Sequence, residues 1–401
     1  MIHYYYSVYN NKMTFFLLPR NNHKIYDKIK YKKVEEDQQN PIFISNSLSH
    51  YLSNIKERIT LNENAWDIFK KYTNPYEYIH TPVLIPSFSN SLICKKRSVA
   101  KDRPISRSYF KMIEIINIFD LLPSTNEIQT FHLAEGPGGF IEAIALLRSN
   151  SNDKYIGMTL QDHSYDNNIP AWKKSRSFLN KYENVVLENG VDGTGNILIL
   201  KNLIHCREKY GSTMDIITGD GGFDFSMDFN YQEIYISKLL FAQVAFAVTM
   251  QKEGGSFVLK IFDSFMKHTI DILYILSSFY EKVYIIKPQT SRYANSERYI
   301  VCKGFLYKNS EHFFPCIERC FIDMNVCEKE VPCRFLNMEV PFYFVQKVEE
   351  YNAIFGQKQI QNIHFTLCLM DNKYKQEKID LLIQTNIQKS IDWCIRHGVQ
   401  Y

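Results

Sequence analysis

Glycine is scarce, at 16 of 401 residues, whereas tyrosine and phenylalanine number 27 and 28. Most of the glycines are clustered, so each cluster marks a place where the backbone needs a tight turn or a close approach. No apolar run reaches bilayer length, which excludes a membrane-spanning helix. The opening Met1-Ile2-His3-Tyr4-Tyr5-Tyr6 lacks the basic-then-apolar order of a secretory signal. Paired cysteines are missing too. The nine are odd in number and scattered, as in a reducing compartment. Cys316, Cys320, Cys327 and Cys333 form the one cluster, but neither pair has the two-residue spacing usual for zinc. They read as free thiols, and no metal is expected. A net charge of +4 neither demands nor excludes nucleic acid, so a local basic patch is the more informative feature. The Gly136–Gly139 cluster lacks the Gly-Lys-Ser/Thr ending of a phosphate loop, and no internal repeat is visible.

What is present divides into four stretches. Residues 1–64 are polar and rich in Asn, Lys and Tyr, and read as a partly irregular N-terminal extension with short helices. Residues 65–110 hold a helix candidate around Trp66 and a basic stretch of Lys95, Lys96, Arg97, Lys101, Arg103 and Arg107. From 111 to 310 helical and strand patterns alternate. Strands are predicted at 130–134, 155–158, 185–187, 214–218, around Lys260, at 282–286 and at 298–302. Helices are predicted at 111–122 and 141–148, with one long helix over 230–250. Residues 311–401 read as a C-terminal helical tail. Strand-helix alternation predicts an α/β fold with a doubly wound, mostly parallel sheet and flanking helices. Ligands of such sheets bind at the carboxyl ends of the strands. The glycine clusters at 136–139 and 219–222 both fall at strand ends.

Lys260 stands inside the apolar run Gly255-Ser256-Phe257-Val258-Leu259-Lys260-Ile261-Phe262. A buried ammonium is costly unless paired, and burial moves its pKa toward neutrality, where it can act as a base. The alternative is an edge strand whose lysine faces water. Asp220 ends the preceding predicted strand, so the two strand ends should be neighbours and the two charges a pair.

Asp220-Gly221-Gly222-Phe223, Gln232-Glu233, Ser237-Lys238-Leu239-Leu240, Gln243, Gly254 through Asp263, Lys287-Pro288, Thr290-Ser291-Arg292 and Ala294 through Gly304 together resemble the FtsJ-like (RrmJ-type) 2′-O-methyltransferases. Among these they are most similar to the cap-specific enzymes that make cap 1. Gly157-Met158-Thr159-Leu160, Asp192 through Ile197, Asn74-Pro75-Tyr76-Glu77 and Ile391-Asp392-Trp393-Cys394 extend the likeness over roughly residues 65 to 401.

The resemblance implies a Rossmann-like class I methyltransferase fold and S-adenosylmethionine as cofactor. It implies a catalytic set of Lys111, Asp220 and Lys260 with Glu297 as fourth member. Lys260 would be the general base, its pKa depressed by Lys111, and Asp220 would orient it. Cofactor contacts would come from Ala134, Glu135, Gly136, Pro137, Gly138, Gly139, Phe140, Asn196 and Ile197. Substrate contacts would come from Asn230, Tyr231, Gln232 and Asn295. The charge pattern itself adds Lys70 and Lys71 and the basic stretch before Lys111 as a face for RNA phosphates, so residues 65–110 are expected to be an RNA-binding segment. Two positions depart from the family: His132 stands where an acid is common, and Asn196 where Asp is common. Glu135 then becomes the candidate for the cofactor's amino group. The expected substrate is capped mRNA, methylated on the ribose of its first transcribed nucleotide. Ribosomal or transfer RNA is the alternative substrate, and a catalytically silent RNA-binding scaffold is the alternative class. Other capping proteins are candidate partners, and no membrane is expected. The expected location is intracellular, in nucleus or cytoplasm. The Asn, Lys, Ile and Tyr bias also suits an AT-rich genome such as a large DNA virus, for which host cytoplasm or virion would apply.

Overall fold

The computed structural model describes residues 15–33, 44–83, 96–125, 127–162, 171–222, 232–326, 332–371 and 376–401. In chain order its elements are β1 (Phe15–Leu17), β2 (Ile29–Lys33), α1 (Asn46–Thr60), α2 (Glu63–Thr73), α3 (Ser108–Phe119), β3 (Gln129–Leu133), α4 (Gly139–Arg148), β4 (Lys154–Met158), α5 (Arg176–Lys181), β5 (Val185–Glu188) and α6 (Leu200–Tyr210). There follow β6 (Met214–Gly219), α7 (Gln232–Tyr235), α8 (Ser237–Met250), β7 (Gln251–Ile261), α9 (Lys267–Phe279), β8 (Tyr280–Ile286), β9 (Arg298–Phe305), α10 (Phe314–Val326), β10 (Pro332–Leu336), α11 (Phe342–Asp371) and α12 (Gln376–His397).

Eight strands form one sheet in the order β1-β8-β9-β7-β6-β3-β4-β5. The pairs among β5, β4, β3, β6 and β7 are parallel, while β9 runs against both β7 and β8. This is the Rossmann-like class I methyltransferase arrangement. Successive strands run outward from β3 to β5, then resume on its other side with β6. The order reverses between β3 and β6, which opens a crevice at their carboxyl ends.

Buried parallel strands need apolar residues on both faces, and β7 shows how the charge enters. Phe257 and Leu259 face a core layer that includes Phe241 and Phe246 of α8 and Leu276 of α9. Val258 faces the opposite layer, with Ile113 of α3, Ile144 of α4 and Trp393 of α12. Side chains alternate along a strand, so Lys260 follows Val258 toward α3, the helix that carries Lys111. The strand is central, between β6 and β9, not at an edge.

Three expectations change. The N-terminal stretch is built into the fold: β1 extends the main sheet against β8, and α1 is a fifteen-residue helix. The C-terminal stretch is not purely helical, because β10 pairs with β2 in a second, two-stranded sheet. The single helix over 230–250 is two, α7 and α8, with Asn230 and Tyr231 outside the described residues. Among the described residues no helix is long and apolar enough to cross a membrane.

Candidate active site

The turn after β3 is shaped by its glycines. Gly138 adopts a φ of +110°, a region that side chains avoid. At Gly136 a Cβ would lie 2.3 Å from the Ala171 carbonyl oxygen, so neither chain could keep its place. Glu135 closes the turn from inside. Its Oε1 accepts the Phe140 N–H at 2.6 Å, while Oε2 is buried with no hydrogen-bond partner among the described residues. Burial, then the nearby Asp220 charge, pushes this carboxyl well above the usual range. Asn196 bends its own loop through Leu198 N–H to Oδ1 at 2.9 Å, and Ile197 is buried beside it.

Asp220 follows β6, and its backbone N–H donates to Leu133 O of β3 at 3.2 Å. Gly221 N–H donates to Gln243 Oε1 of α8 at 3.0 Å and so fixes the next step of the chain. Lys260 Nζ lies 3.1 Å from Asp220 Oδ1 and donates to Asp220 O at 2.6 Å. Across the sheet Lys260 registers with Tyr299, whose hydroxyl donates to Asp220 Oδ1 at 3.3 Å. Lys111, in the first turn of α3, holds both Glu297 oxygens, at 2.7 and 2.8 Å. The structure thus brings Lys111, Asp220, Lys260 and Glu297 together beside the Ala134–Phe140 turn. Two ammoniums and two carboxylates balance in a site of low exposure.

The electrostatics reverse one expectation. Burial lowers Lys260, but the charges of Asp220, Glu297 and Glu135 and the Asp220 hydrogen bond outweigh it, so its pKa is raised in the free chain. Lys111 is the lysine held down, by burial against the pull of Glu297 and with help from Arg107. Glu297 stays ionised: the charges of Lys111, Lys260 and Lys287 outweigh its burial and hold it far below the usual range. Lys287 is pulled to about 7 by burial, and it donates to Asn295 O, Asn295 Oδ1 and Glu297 O at 2.6, 2.8 and 2.9 Å.

The substrate-side expectations are scattered. Asn295 is exposed at the rim, and Gln232 is buried at the start of α7. Lys70 pairs with Asp67 on its own helix. Of the basic stretch, Lys95 lies outside the described residues, Arg103 bonds to Ser98 and to Ala100 O, and Arg107 donates to Thr290 O at 3.1 Å. Cys316 and Cys320 are free thiols one turn apart on α10. Cys327 lies outside the described residues, and among those described no three ligands gather for a metal.

The sequence also holds supporting residues that carried no assigned role. Buried Glu114, one turn after Lys111, accepts Gln289 N–H at 2.6 Å, Thr290 N–H and Oγ1–H at 3.1 and 2.9 Å, and Trp393 Nε1–H at 3.2 Å. Arg292 forks onto buried Glu77 at 3.0 and 2.7 Å. Both contacts tie down the segment that leads to Glu297. A signal for Glu114 was available: like Lys260, it is a charge inside an apolar run, Met112-Ile113-Glu114-Ile115-Ile116.

The FtsJ-like methyltransferase model matches residues 104–305. The chain is 30% identical over 258 residues to the cap-specific mRNA (nucleoside-2′-O-)-methyltransferase 1 of Trypanosoma brucei brucei, covering 61% of this chain and 65% of that protein. It is 34% identical over 220 residues to the Mus musculus protein of the same name, covering 50% and 26%. With the cap-specific mRNA (nucleoside-2′-O-)-methyltransferase 2 of Pongo abelii the figures are 27% over 322 residues, covering 77% and 41%. The matched parts therefore span less than two thirds of each of these relatives. The family match takes in all of α3, β3, β6, β7 and β9, the elements on or beside which the four charged residues stand, and reaches half of the chain: it belongs to the FtsJ-like methyltransferase family.

Proposed function

We propose that the chain transfers a methyl group from S-adenosylmethionine to the ribose 2′-OH of the first transcribed nucleotide of capped mRNA. The observation that carries this reading is the Lys260–Asp220 pair at 3.1 Å, set beside the Lys111–Glu297 pair at the end of the parallel strands. The names of the relatives supply the cap as substrate.

The turn after β3 suits this cofactor. Its amino group needs a buried acceptor, and Glu135 Oε2 is one without a partner among the described residues. The residues fit: Ala134, Glu135, Gly136, Pro137, Gly138, Gly139 and Phe140, with Asn196 and Ile197, would hold S-adenosylmethionine. When bound, it supplies an electrophilic sulfonium methyl.

The chain's own residues supply position and a proton path. A ribose hydroxyl is a weak acid and must lose its proton as its oxygen takes the methyl. Lys260 Nζ, once deprotonated, accepts that proton, with Asp220 fixing the direction of its lone pair. Lys111 and Glu297 set the charge around it. Asn230, Tyr231, Gln232, Asn295 and Lys70, with the basic stretch before α3, are the proposed RNA contacts, through phosphates where they are cationic. The full chain, incubated with labelled cofactor and one RNA in capped and uncapped form, is expected to label the capped form at least tenfold faster. Equal labelling would overturn the cap assignment in favour of another RNA, and no labelling of either would favour a silent scaffold.

A further inference from the structure

Lys56 is a buried lysine in α1, outside the segment that matches the family. Its Nζ lies 2.9 Å from Asp263 Oδ2, and the two side chains are only 8% and 9% exposed. Asp263 comes three residues after Lys260. The same Oδ2 accepts the Ser296 hydroxyl at 2.9 Å, and Ser296 directly precedes Glu297. Gln359 of α11 also holds that segment, its Nε2 donating to Ala294 O at 3.0 Å and to Ser296 Oγ at 3.3 Å. A lysine that only packs would direct its amine to water. This one enters the protein and ends on the carboxylate that links the loop after β7 to the loop before β9.

We propose that Lys56 is a positioning residue: through Asp263 and Ser296 it seats Glu297 and sets the charge around the catalytic lysines. The proposal rests on the methyl-transfer reading for its catalytic consequence, but its electrostatic part stands apart from turnover. The charged groups around Asp263 are Lys56 on α1, Arg298 on β9 at 3.9 Å, Glu233 on α7, and Lys287 in the segment that leads to Glu297. Asp263 adds to the raised pKa of Glu233 and opposes the lowering of Lys287. Removing the Lys56 charge exposes the site to more of the Asp263 charge and raises the neighbouring lysines. Removing the Asp263 charge leaves Lys56 uncompensated and lowers them.

The test is competitive acetylation of the full chain against pH, read for each lysine by mass spectrometry, which needs no methyl transfer. Lys56→Met should raise the Lys287 midpoint by about half a pH unit, Asp263→Asn should lower it by a similar amount, and the double variant should return it to the wild-type value. Shifts in the same direction, or none, would overturn the proposal. Where Lys56→Met does not fold, the double variant decides: a midpoint equal to that of Asp263→Asn would show that Lys56 contributes nothing. Where Asp263→Asn does not fold, Lys56→Met decides: a midpoint equal to that of the wild type would show the same. In the transfer assay Lys56→Met should lower kcat at least tenfold with the KM for RNA little changed, and Lys56→Arg should restore most of it. Loss in proportion to the unfolded fraction, or no rescue by Arg, would contradict a positioning role. A wild-type chain that transfers no methyl would count against the functional reading, while the acetylation midpoints would still decide the role of Lys56.

Discussion

The charges of Asp220 and Glu297 and the Asp220 hydrogen bond hold Lys260 protonated against a burial that would make it neutral. A base in that state has to shed its proton first, so turnover should rise with pH on the alkaline side. Glu297 is the member whose removal leaves the Lys260–Asp220 contact in place. Glu297→Gln takes away a negative charge that raises both Lys260 and Lys111, so both folded-state pKa values fall. The ascending limb of the kcat/KM profile should then move to lower pH, by about one unit for a loss of about 1.4 kcal/mol of favourable interaction. A limb that stays in place or moves up would show that Glu297 does not act on the base. At this scale legibility depended on contrast. Lys260 stands out because its neighbours are apolar, and Glu114 could have been found in the same way. Lys56 could not, because Ile55-Lys56-Glu57-Arg58 reads as an ordinary solvated helix. Its carboxylate partner is 207 residues away.

Among the elements, α3 carries most of the site's support. Arg107 at its N-cap, Lys111 and Glu114 lie at i, i+4 and i+7, on one face, and all three turn toward the segment from Gln289 to Glu297. Glu114 is the anchor. Replacing it by Ala strands two backbone N–H groups, the Thr290 hydroxyl and the Trp393 indole. Each buried unsatisfied group costs about 1–3 kcal/mol, so the variant should lose about 3 kcal/mol or more in urea unfolding. A loss within about 0.5 kcal/mol would show that water replaces the carboxylate. The alternating pattern of β3 through β9 was legible, because each strand is a short apolar run with a turn signal after it. β1, and the pairing of β2 with β10, were not. They are short strands outside the strand-helix alternation, and their partners are hundreds of residues away. The break between α7 and α8 was hidden because the residues around it keep a helical composition.

For the whole molecule, strand alternation and the two glycine clusters were enough to place a ligand crevice at the carboxyl ends of the strands, whereas the reversal between β3 and β6 came from the folded sheet. The pairing of Lys260 with Asp220 follows from the adjacency of β6 and β7. The way α1 and α12 pack against the elements of the site came only from the folded structure. α1 reaches the site through Lys56, and α12 through Trp393, which hydrogen-bonds Glu114 beneath Lys111. The central claim is that Lys260 directs a methyl group to one ribose oxygen. The measurement that meets it most directly uses labelled S-adenosylmethionine, capped RNA, and the wild-type and Lys260→Ala chains, followed by nuclease digestion and mapping of the labelled nucleotide. The account predicts label on the 2′-oxygen of the first transcribed nucleotide with the wild-type chain, and a rate lower by about 100-fold or more with Lys260→Ala while cofactor binding persists. Label on a base or an internal ribose, or near-normal transfer by Lys260→Ala, would contradict it.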